Sequence, residues 1–248
     1  NIQPKSDSLI ITIELESKGL YWYTELNSKT LTEMTSQMGS YKSLKVFSDM
    51  LIQALSRKNE SLTLNFYSDP GCSKLREKLA ELMDVRPSEI VFGNGSDEIL
   101  NFLFSAFCER GAVFPDITYS FYKILAKFHG VDFITIPLDE NFRINPDEYK
   151  NLDGRTIFIV NPNAPTGIYL SLDEIEKIIN QNPESLIIID EAYIDFAKEN
   201  ASVKDLIHKY ENLAVVRTFS KSRSMAGARL GWCMANEELA KDIDDIKN

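Results

Sequence analysis

Residues 218–232 of this 248-residue chain have the sequence Thr218-Phe219-Ser220-Lys221-Ser222-Arg223-Ser224-Met225-Ala226-Gly227-Ala228-Arg229-Leu230-Gly231-Trp232. They follow a short apolar segment, residues 213–216, which favours a β-strand. A single lysine, Lys221, lies among hydroxyl-bearing and small side chains. Because a deprotonated lysine amine forms a Schiff base with an aldehyde, Lys221 is a candidate nucleophile. The stretch therefore predicts a strand that leads into a chemically active loop.

Three side chains near Lys221 are suited to holding a phosphate group. Thr218 and Ser220 offer hydroxyl donors, and Arg229 can donate two parallel hydrogen bonds to one anion. An aldehyde-reactive lysine beside a phosphate site is the combination that pyridoxal phosphate (PLP) requires. An isolated Ser-Lys pair is more often part of an ordinary solvated loop, so the rest of the chain decides between these interpretations.

Short apolar segments alternate with amphipathic segments from residue 89 onward. The apolar segments predict strands at residues 89–92, 111–114, 131–137, 156–160, 186–189 and 213–216. Two of them, 156–160 and 186–189, are almost entirely apolar, which is typical of strands buried on both faces of a parallel sheet. This alternation predicts a three-layer α/β fold in which helices cover both faces of a mostly parallel sheet.

The beginning of the chain has a different pattern. Residues 8–15 have the β-branched character of a strand, and apolar residues recur at helical spacing near residues 44–57. We therefore predict an N-terminal arm and helix over residues 1–60 and a large cofactor-binding domain over residues 61–248.

Composition excludes several classes of function. The net charge of −10 argues against a nucleic acid or an anionic membrane as partner. Three cysteines without a CxxC pair and two histidines far apart in the sequence make a metal site or a disulfide framework an unfavourable interpretation. This cysteine usage suits the reducing cytoplasm. We also find no apolar run long enough to span a bilayer, and no targeting signal at the beginning of the chain.

Four unusual segments each follow a predicted strand. They are residues 93–97, 161–167, 190–193 and 218–221. In open parallel sheets, ligands bind beyond the carboxyl ends of the strands, so we expect the four segments to form one site. The first is a glycine-rich turn between a strand and a helix, which can present the backbone N–H groups of Ser96 and Asp97 to a phosphate. The alternative for this segment is a tight turn with Ser96 as the helix N-cap.

The remaining polar groups at these strand ends match the needs of PLP. Asp190 is the candidate carboxylate that keeps the ring nitrogen protonated, and Tyr193 is the candidate donor to the ring phenol oxygen. Tyr119 offers a flat partner for the ring face, although core aromatic packing is the alternative. Lys221, once displaced from the cofactor, can carry a proton as general base and acid. The catalytic candidates are therefore Lys221, Asp190 and Tyr193.

At four places the sequence resembles the aspartate-aminotransferase-like family of PLP enzymes. They are residues 218–231 (TFSKSRSMAGARLG), 190–193 (DEAY), 161–167 (NPNAPTG) and 93–98 (GNGSDE). Residues 67–76 (YSDPGCSKLR) and 137–143 (PLDENFR) are similar to the histidinol-phosphate branch of that family. The resemblance implies an aminotransferase of histidine biosynthesis that transfers an amino group from histidinol phosphate to a 2-oxo acid, 2-oxoglutarate. It also implies a homodimer in which Tyr67 reaches the cofactor phosphate of the neighbouring subunit.

The sequence departs from the family in three ways. Ala164 replaces an asparagine that touches the cofactor ring oxygen, so either Asn163 substitutes for it or Tyr193 acts alone. The Asn-Glu-Asn-Pro segment of the family is not recognisable in residues 1–60, and a small C-terminal domain has no counterpart before Asn248. Two alternatives therefore stay open: a truncated or non-catalytic PLP-binding module, and a related PLP-dependent decarboxylase of phosphorylated amino acids.

Overall fold

A computed structural model describes residues 2–4, 8–15, 20–27, 69, 71–198 and 200–247 of the chain. It divides the chain into two compact units, Asn1–Pro70 and Gly71–Asn248. The predicted helix near residues 44–57 and the predicted site residue Tyr67 lie outside the described residues.

The first unit contains an antiparallel sheet of three strands. These are β1 (Ile2–Pro4), β2 (Ser8–Leu15) and β3 (Leu20–Asn27), in that order across the sheet. The register places Ser8 opposite Asn27 and Leu15 opposite Leu20. The strand predicted at residues 8–15 is confirmed, and its neighbours β1 and β3 were not predicted.

The second unit alternates strands and helices. Its strands are β4 (Ile90–Asn94), β5 (Ala112–Pro115), β6 (Phe133–Ile136), β7 (Thr156–Val160), β8 (Ile187–Asp190), β9 (Leu213–Thr218) and β10 (Leu230–Ala235). Its helices are α1 (Ser73–Met83), α2 (Ser96–Ala106), α3 (Phe121–His129), α4 (Leu172–Gln181) and α5 (Glu237–Lys247). Each predicted strand from residue 89 onward is present, with ends that differ by a few residues.

The seven strands form one sheet in the order β4-β10-β9-β8-β7-β5-β6. Neighbours from β9 to β6 pair in parallel, whereas β10 is antiparallel to both β4 and β9. The predicted mostly parallel sheet is confirmed, but β10 and α5 were not predicted. The chain turns back into β10 at Arg229, whose φ of 50° lies in the left-handed region. The connection between β9 and β10, residues 219–229, contains only a three-residue 3₁₀ helix, so the sequence shows no strand-helix alternation there.

The core lies on both faces of this sheet. Alternate residues of β7 point to opposite sides: Ile157 and Ile159 pack with buried residues of α1 and α4, while Phe158 and Val160 pack with those of α2, α3 and α5. All residues of β7, β8 and β9 are buried, as expected for strands covered on both faces. The predicted three-layer arrangement is therefore confirmed. None of the helices in the described ranges has both the length and the hydrophobicity that crossing a bilayer requires.

Candidate active site

The ends of β7, β8 and β9 and the beginning of α2 surround one pocket of ≈ 150 Å³. Its lining residues are Ser96, Asp97, Tyr119, Val160, Ala164, Asp190, Ala192, Tyr193, Thr218, Ser220, Lys221, Ala226 and Arg229. Of the predicted site residues that the structure describes, every one except Asn163 is in this set. The convergence of the strand ends follows from the register, which places Asp190 beside Val160 on one side and Val216 on the other.

Asp190 supplies a buried carboxylate to the pocket. It is only 3% exposed, and its Oδ1 accepts a hydrogen bond from the backbone N–H of Ala192 at 3.1 Å. Its Oδ2 accepts one from the Tyr122 hydroxyl, also at 3.1 Å. Burial raises the pKa of Asp190 to about 6, against the two hydrogen bonds and the charge of Lys221, which lower it. At neutral pH the carboxylate is mostly ionised and can pair with a cationic group.

The beginning of α2 is open to an anion. Its N-cap position is taken by Gly95, which has no side chain to satisfy the first N–H groups of the helix, so the alternative with Ser96 as N-cap is wrong. Gly95 has a φ of 84°, and a Cβ there would lie 2.5 Å from Nη2 of Arg229. A Cβ on Gly231 would lie 2.3 Å from the backbone nitrogen of Ser96. The two glycines thus let β10 and Arg229 approach the helix N-terminus, where backbone N–H groups favour phosphate.

The side chain of Asp97 connects two other lining residues. Its Oδ1 accepts a hydrogen bond from the Tyr119 hydroxyl at 3.0 Å, and its Oδ2 lies 3.6 Å from Nη2 of Arg229. Arg229 also donates to the backbone oxygen of Asn94 at 3.2 Å. Burial, and after it the charge of Asp97, raises the pKa of Tyr119, so the phenol keeps its proton. From the sequence, only the backbone N–H of Asp97 was predicted to take part in the site, as a phosphate donor. In the structure its carboxylate also takes part, by contacting Tyr119 and Arg229.

The loop after β9 holds Lys221 at the mouth of the pocket. The Thr218 hydroxyl donates to Oγ of Ser220 at 2.9 Å and accepts the backbone N–H of Ser220 at 3.1 Å. The Lys221 Nζ lies 5.3 Å from the centroid of the Tyr193 ring. The Thr218 and Ser220 hydroxyls and the Lys221 amine therefore belong to residues that line the same pocket.

The chain is similar to proteins of one known family. Residues 37–248 match the model of a protein family described as "Aminotransferase class I and II". The chain belongs to this aminotransferase family. A histidinol-phosphate aminotransferase of Brachyspira hyodysenteriae is 50% identical over 186 residues, which are 74% of this chain and 52% of that protein. Histidinol-phosphate aminotransferase 1 of Oceanobacillus iheyensis is 40% identical over 226 residues, 90% of this chain and 61% of that protein.

Solved structures give the same family resemblance. The histidinol-phosphate aminotransferase of Clostridium acetobutylicum has a TM-score of 0.70 at 28% identity, covering 82% of this chain and 60% of that one. The enzyme of Sinorhizobium meliloti, solved with pyridoxal-5'-phosphate, has a TM-score of 0.68 at 25% identity, covering 74% of this chain and 52% of that one. The chain thus spans about half to three fifths of the length of these relatives.

Asn163 does not line the pocket. Its amide nitrogen donates to the backbone oxygen of Ile117 at 3.0 Å, and its Oδ1 accepts a hydrogen bond from the Thr118 hydroxyl at 2.9 Å. These bonds hold the loop before α3 against the loop after β7. Ala164, which carries no polar group, lines the pocket instead.

Two features of the site were not predicted from the sequence. Tyr122 contacts Asp190 from α3, and its only signal was a second tyrosine three residues after Tyr119. Beside Asp190, the buried Glu191 carboxylate pairs with Arg217 of β9 at 2.7 Å and accepts a hydrogen bond from the Ser202 hydroxyl at 2.9 Å. This ion pair joins the ends of β8 and β9, which carry Asp190 and Lys221. No spacing in the sequence indicates it, because its partners come from distant segments.

Proposed function

We propose that this chain is the cofactor-binding part of a PLP-dependent aminotransferase of histidine biosynthesis, with histidinol phosphate as amino donor and 2-oxoglutarate as acceptor. The observation that carries the proposal is the meeting of three features in one pocket: the Lys221 amine, the buried Asp190 carboxylate and the open N-terminus of α2. The names of the relatives in Brachyspira hyodysenteriae and Oceanobacillus iheyensis support this choice of reaction.

The residues of the pocket fit PLP. A phosphate suits the N-terminus of α2, which Arg229 and β10 can approach because Gly95 and Gly231 have no side chain, with the Ser96 and Asp97 N–H groups and Arg229 as partners. Thr218 and Ser220 supply hydroxyl donors beside them. When bound, PLP provides an electron sink that stabilises negative charge on the substrate carbon, provided that a carboxylate keeps its ring nitrogen protonated. Asp190 is the buried carboxylate that we assign to that nitrogen.

The other lining residues would hold and orient the cofactor, and one of them would move a proton. We assign to Lys221 the covalent bond to the cofactor aldehyde and, once its amine is free, the removal of the proton from the substrate carbon. Tyr119, whose hydroxyl is held by Asp97, would supply a flat partner for the cofactor ring. Since the Asn163 amide is bonded elsewhere and Ala164 has no donor, we assign the bond to the cofactor phenol oxygen to Tyr193 alone.

A half-reaction tests the proposed reaction. The chain is loaded with PLP, mixed with histidinol phosphate in the absence of 2-oxoglutarate, and the cofactor is analysed by chromatography. We expect conversion to pyridoxamine phosphate without release of carbon dioxide. Release of carbon dioxide would indicate the decarboxylase alternative, and retention of unchanged PLP would indicate a non-catalytic binding module.

We propose that the chain acts as a homodimer with shared sites, in which Tyr67 of one subunit completes the phosphate site of the other. The proposal rests on the sequence resemblance around residues 67–76. The described chain supplies Arg229 as a cation beside the phosphate position in its own pocket, and a further phosphate partner from a second subunit would add to it.

Mixing two inactive variants tests the shared site. A chain with Tyr67→Phe is combined with a chain with Lys221→Ala under conditions that allow subunit exchange. In a mixed dimer, one site carries both changes and the other carries neither, so half-reaction activity and PLP affinity should partly recover. If mixing restores nothing although exchange is shown by mass, each site belongs to one chain and the proposal is wrong.

The proposed location is the cytoplasm. Cys72, Cys108 and Cys233 are free thiols, and two of them, Cys108 and Cys233, are buried. Structural disulfides are common in oxidising compartments and rare in the reducing cytoplasm. The thiol state supports this placement.

A further inference from the structure

Tyr122 of α3 contacts Asp190 but lies outside the pocket lining. Its side chain is fully buried. Its hydroxyl donates to Asp190 Oδ2 at 3.1 Å, while Oδ1 accepts from the backbone at Ala192. The two hydrogen bonds fix both carboxylate oxygens of Asp190.

The ring of Tyr122 is held rigidly by its neighbours. Its centroid lies 5.4 Å from that of Phe158, 5.7 Å from that of Phe114 and 6.1 Å from that of Phe104. Tyr119 packs against it edge-on, at 5.8 Å and an interplanar angle of 83°. A phenol enclosed in this way cannot turn to another acceptor without repacking the aromatic cluster. It is therefore a donor of fixed position.

We propose that Tyr122 is a positioning residue that holds Asp190 in the ionised, correctly oriented form needed to pair with the cofactor ring nitrogen; this rests on the proposed function. Burial of Asp190 favours the neutral acid, and a hydrogen bond donated to the ionised form opposes that tendency. The Tyr122 phenol suits this task because burial, and after it the charge of Asp190, raises its own pKa well above the ordinary value. Its proton stays in place while Asp190 titrates.

Other charged and titratable groups also face Asp190. The Asp97 carboxylate of α2 raises its pKa and the Lys221 amine after β9 lowers it, both at longer range than the two hydrogen bonds. Tyr119 and Tyr193 line the same pocket. All four remain when only the Tyr122 hydroxyl is removed, so Tyr122→Phe isolates one contribution.

The test follows the titration of Asp190 in the cofactor-free chain. The carboxyl carbons are labelled with ¹³C, the Asp190 signal is assigned with the Asp190→Asn chain, and its midpoint is measured from pH 4 to pH 9. Loss of a hydrogen bond to a charged group should raise the midpoint by about one to two pH units in Tyr122→Phe. The matched control is Tyr149→Phe, because Tyr149 is equally buried but its hydroxyl has no hydrogen-bond partner among the described residues. We expect no change of the midpoint in that control.

A second variant acts in the opposite direction. Placing 3-fluorotyrosine at position 122 keeps the ring and makes the hydroxyl a stronger donor, so the Asp190 midpoint should fall.

PLP affinity gives an independent measurement. In Tyr122→Phe, the affinity should be weakened most near pH 7 and should recover as the pH rises past the new midpoint. A merely structural role would weaken binding equally at every pH. An unchanged midpoint in Tyr122→Phe, or an equal shift in Tyr149→Phe, would overturn the proposal. Because the titration needs no cofactor, it distinguishes failure of this inference from failure of the proposed function.

Discussion

A chain with Lys221→Ala is expected to bind PLP without a covalent bond and to lose nearly all conversion of histidinol phosphate. Alanine has no amine to bond to the cofactor aldehyde or to accept the proton from the substrate. A positioned general base contributes about 10²–10⁴-fold to a rate, so single-turnover conversion should fall by at least that factor. The proposed phosphate partners are the Ser96 and Asp97 N–H groups and Arg229, and they do not include the Lys221 side chain. PLP should therefore still bind, with a reduced affinity. Rapid mixing with chromatographic analysis of the cofactor measures the first effect, and equilibrium dialysis measures the second.

The matched control for this prediction is a lysine outside the pocket. Lys177 of α4 pairs with Asp147 at 2.7 Å on the surface, and Lys177→Ala removes an amine without touching the site. It should leave both measurements unchanged. A Lys221→Ala chain that still converts the donor at the parent rate would remove Lys221 from the mechanism.

Asp190→Asn is expected to lower the half-reaction by about 10²–10³-fold, the loss typical of removing one electrostatic partner at a reacting centre. The amide is nearly isosteric with the carboxylate but carries no charge to keep the cofactor ring nitrogen protonated.

The Asp190→Asn chain should still fold. Because the folded pKa of Asp190, about 6, exceeds the unfolded value of about 3.9, ionised Asp190 costs stability that grows as pH rises between these values. Above pH 6 the cofactor-free Asn variant should therefore be no less stable than the parent.

Thermal unfolding at pH 7.5 and the single-turnover rate together check this prediction. Asp139→Asn serves as the control, since the Asp139 carboxylate accepts the backbone N–H groups of Asn141 and Arg143 in an exposed loop. A rate for Asp190→Asn within a few fold of the parent rate would show that Asp190 does not face the ring nitrogen. Loss of the folded state in Asp190→Asn at pH 7.5 would contradict the electrostatic argument.

The fold was predictable where the sequence carries a strong periodic signal. Strands β7, β8 and β9 are apolar along almost their whole length and are buried on both faces, so hydrophobicity alone identified them. Strand β10 was missed because its first residues, Leu230 to Trp232, belong to the stretch 218–232, which was interpreted as one loop after β9. The antiparallel return is set by the left-handed conformation of Arg229 and by the close approach of Gly231 to α2. Such contacts depend on tertiary structure.

The candidate site was predictable where its residues follow a strand. Asp190, Lys221 and Ser96 have that position, and the parallel sheet brings them to one edge. Tyr122 and the Arg217–Glu191 pair were not predictable in the same way, because their roles come from side chains that meet only after folding. Asn163 shows the converse. It lies in the expected segment, but its hydrogen bonds to the loop before α3 keep it out of the pocket lining.

Borohydride reduction shows whether the loop after β9 carries the residue that bonds to PLP. The chain is incubated with PLP, reduced with borohydride, digested, and mapped by mass spectrometry. We expect a single pyridoxyl group, attached at Lys221, and none on the Lys221→Ala chain. A pyridoxyl group located on another lysine of the parent chain, with Lys221 unmodified, would contradict this expectation.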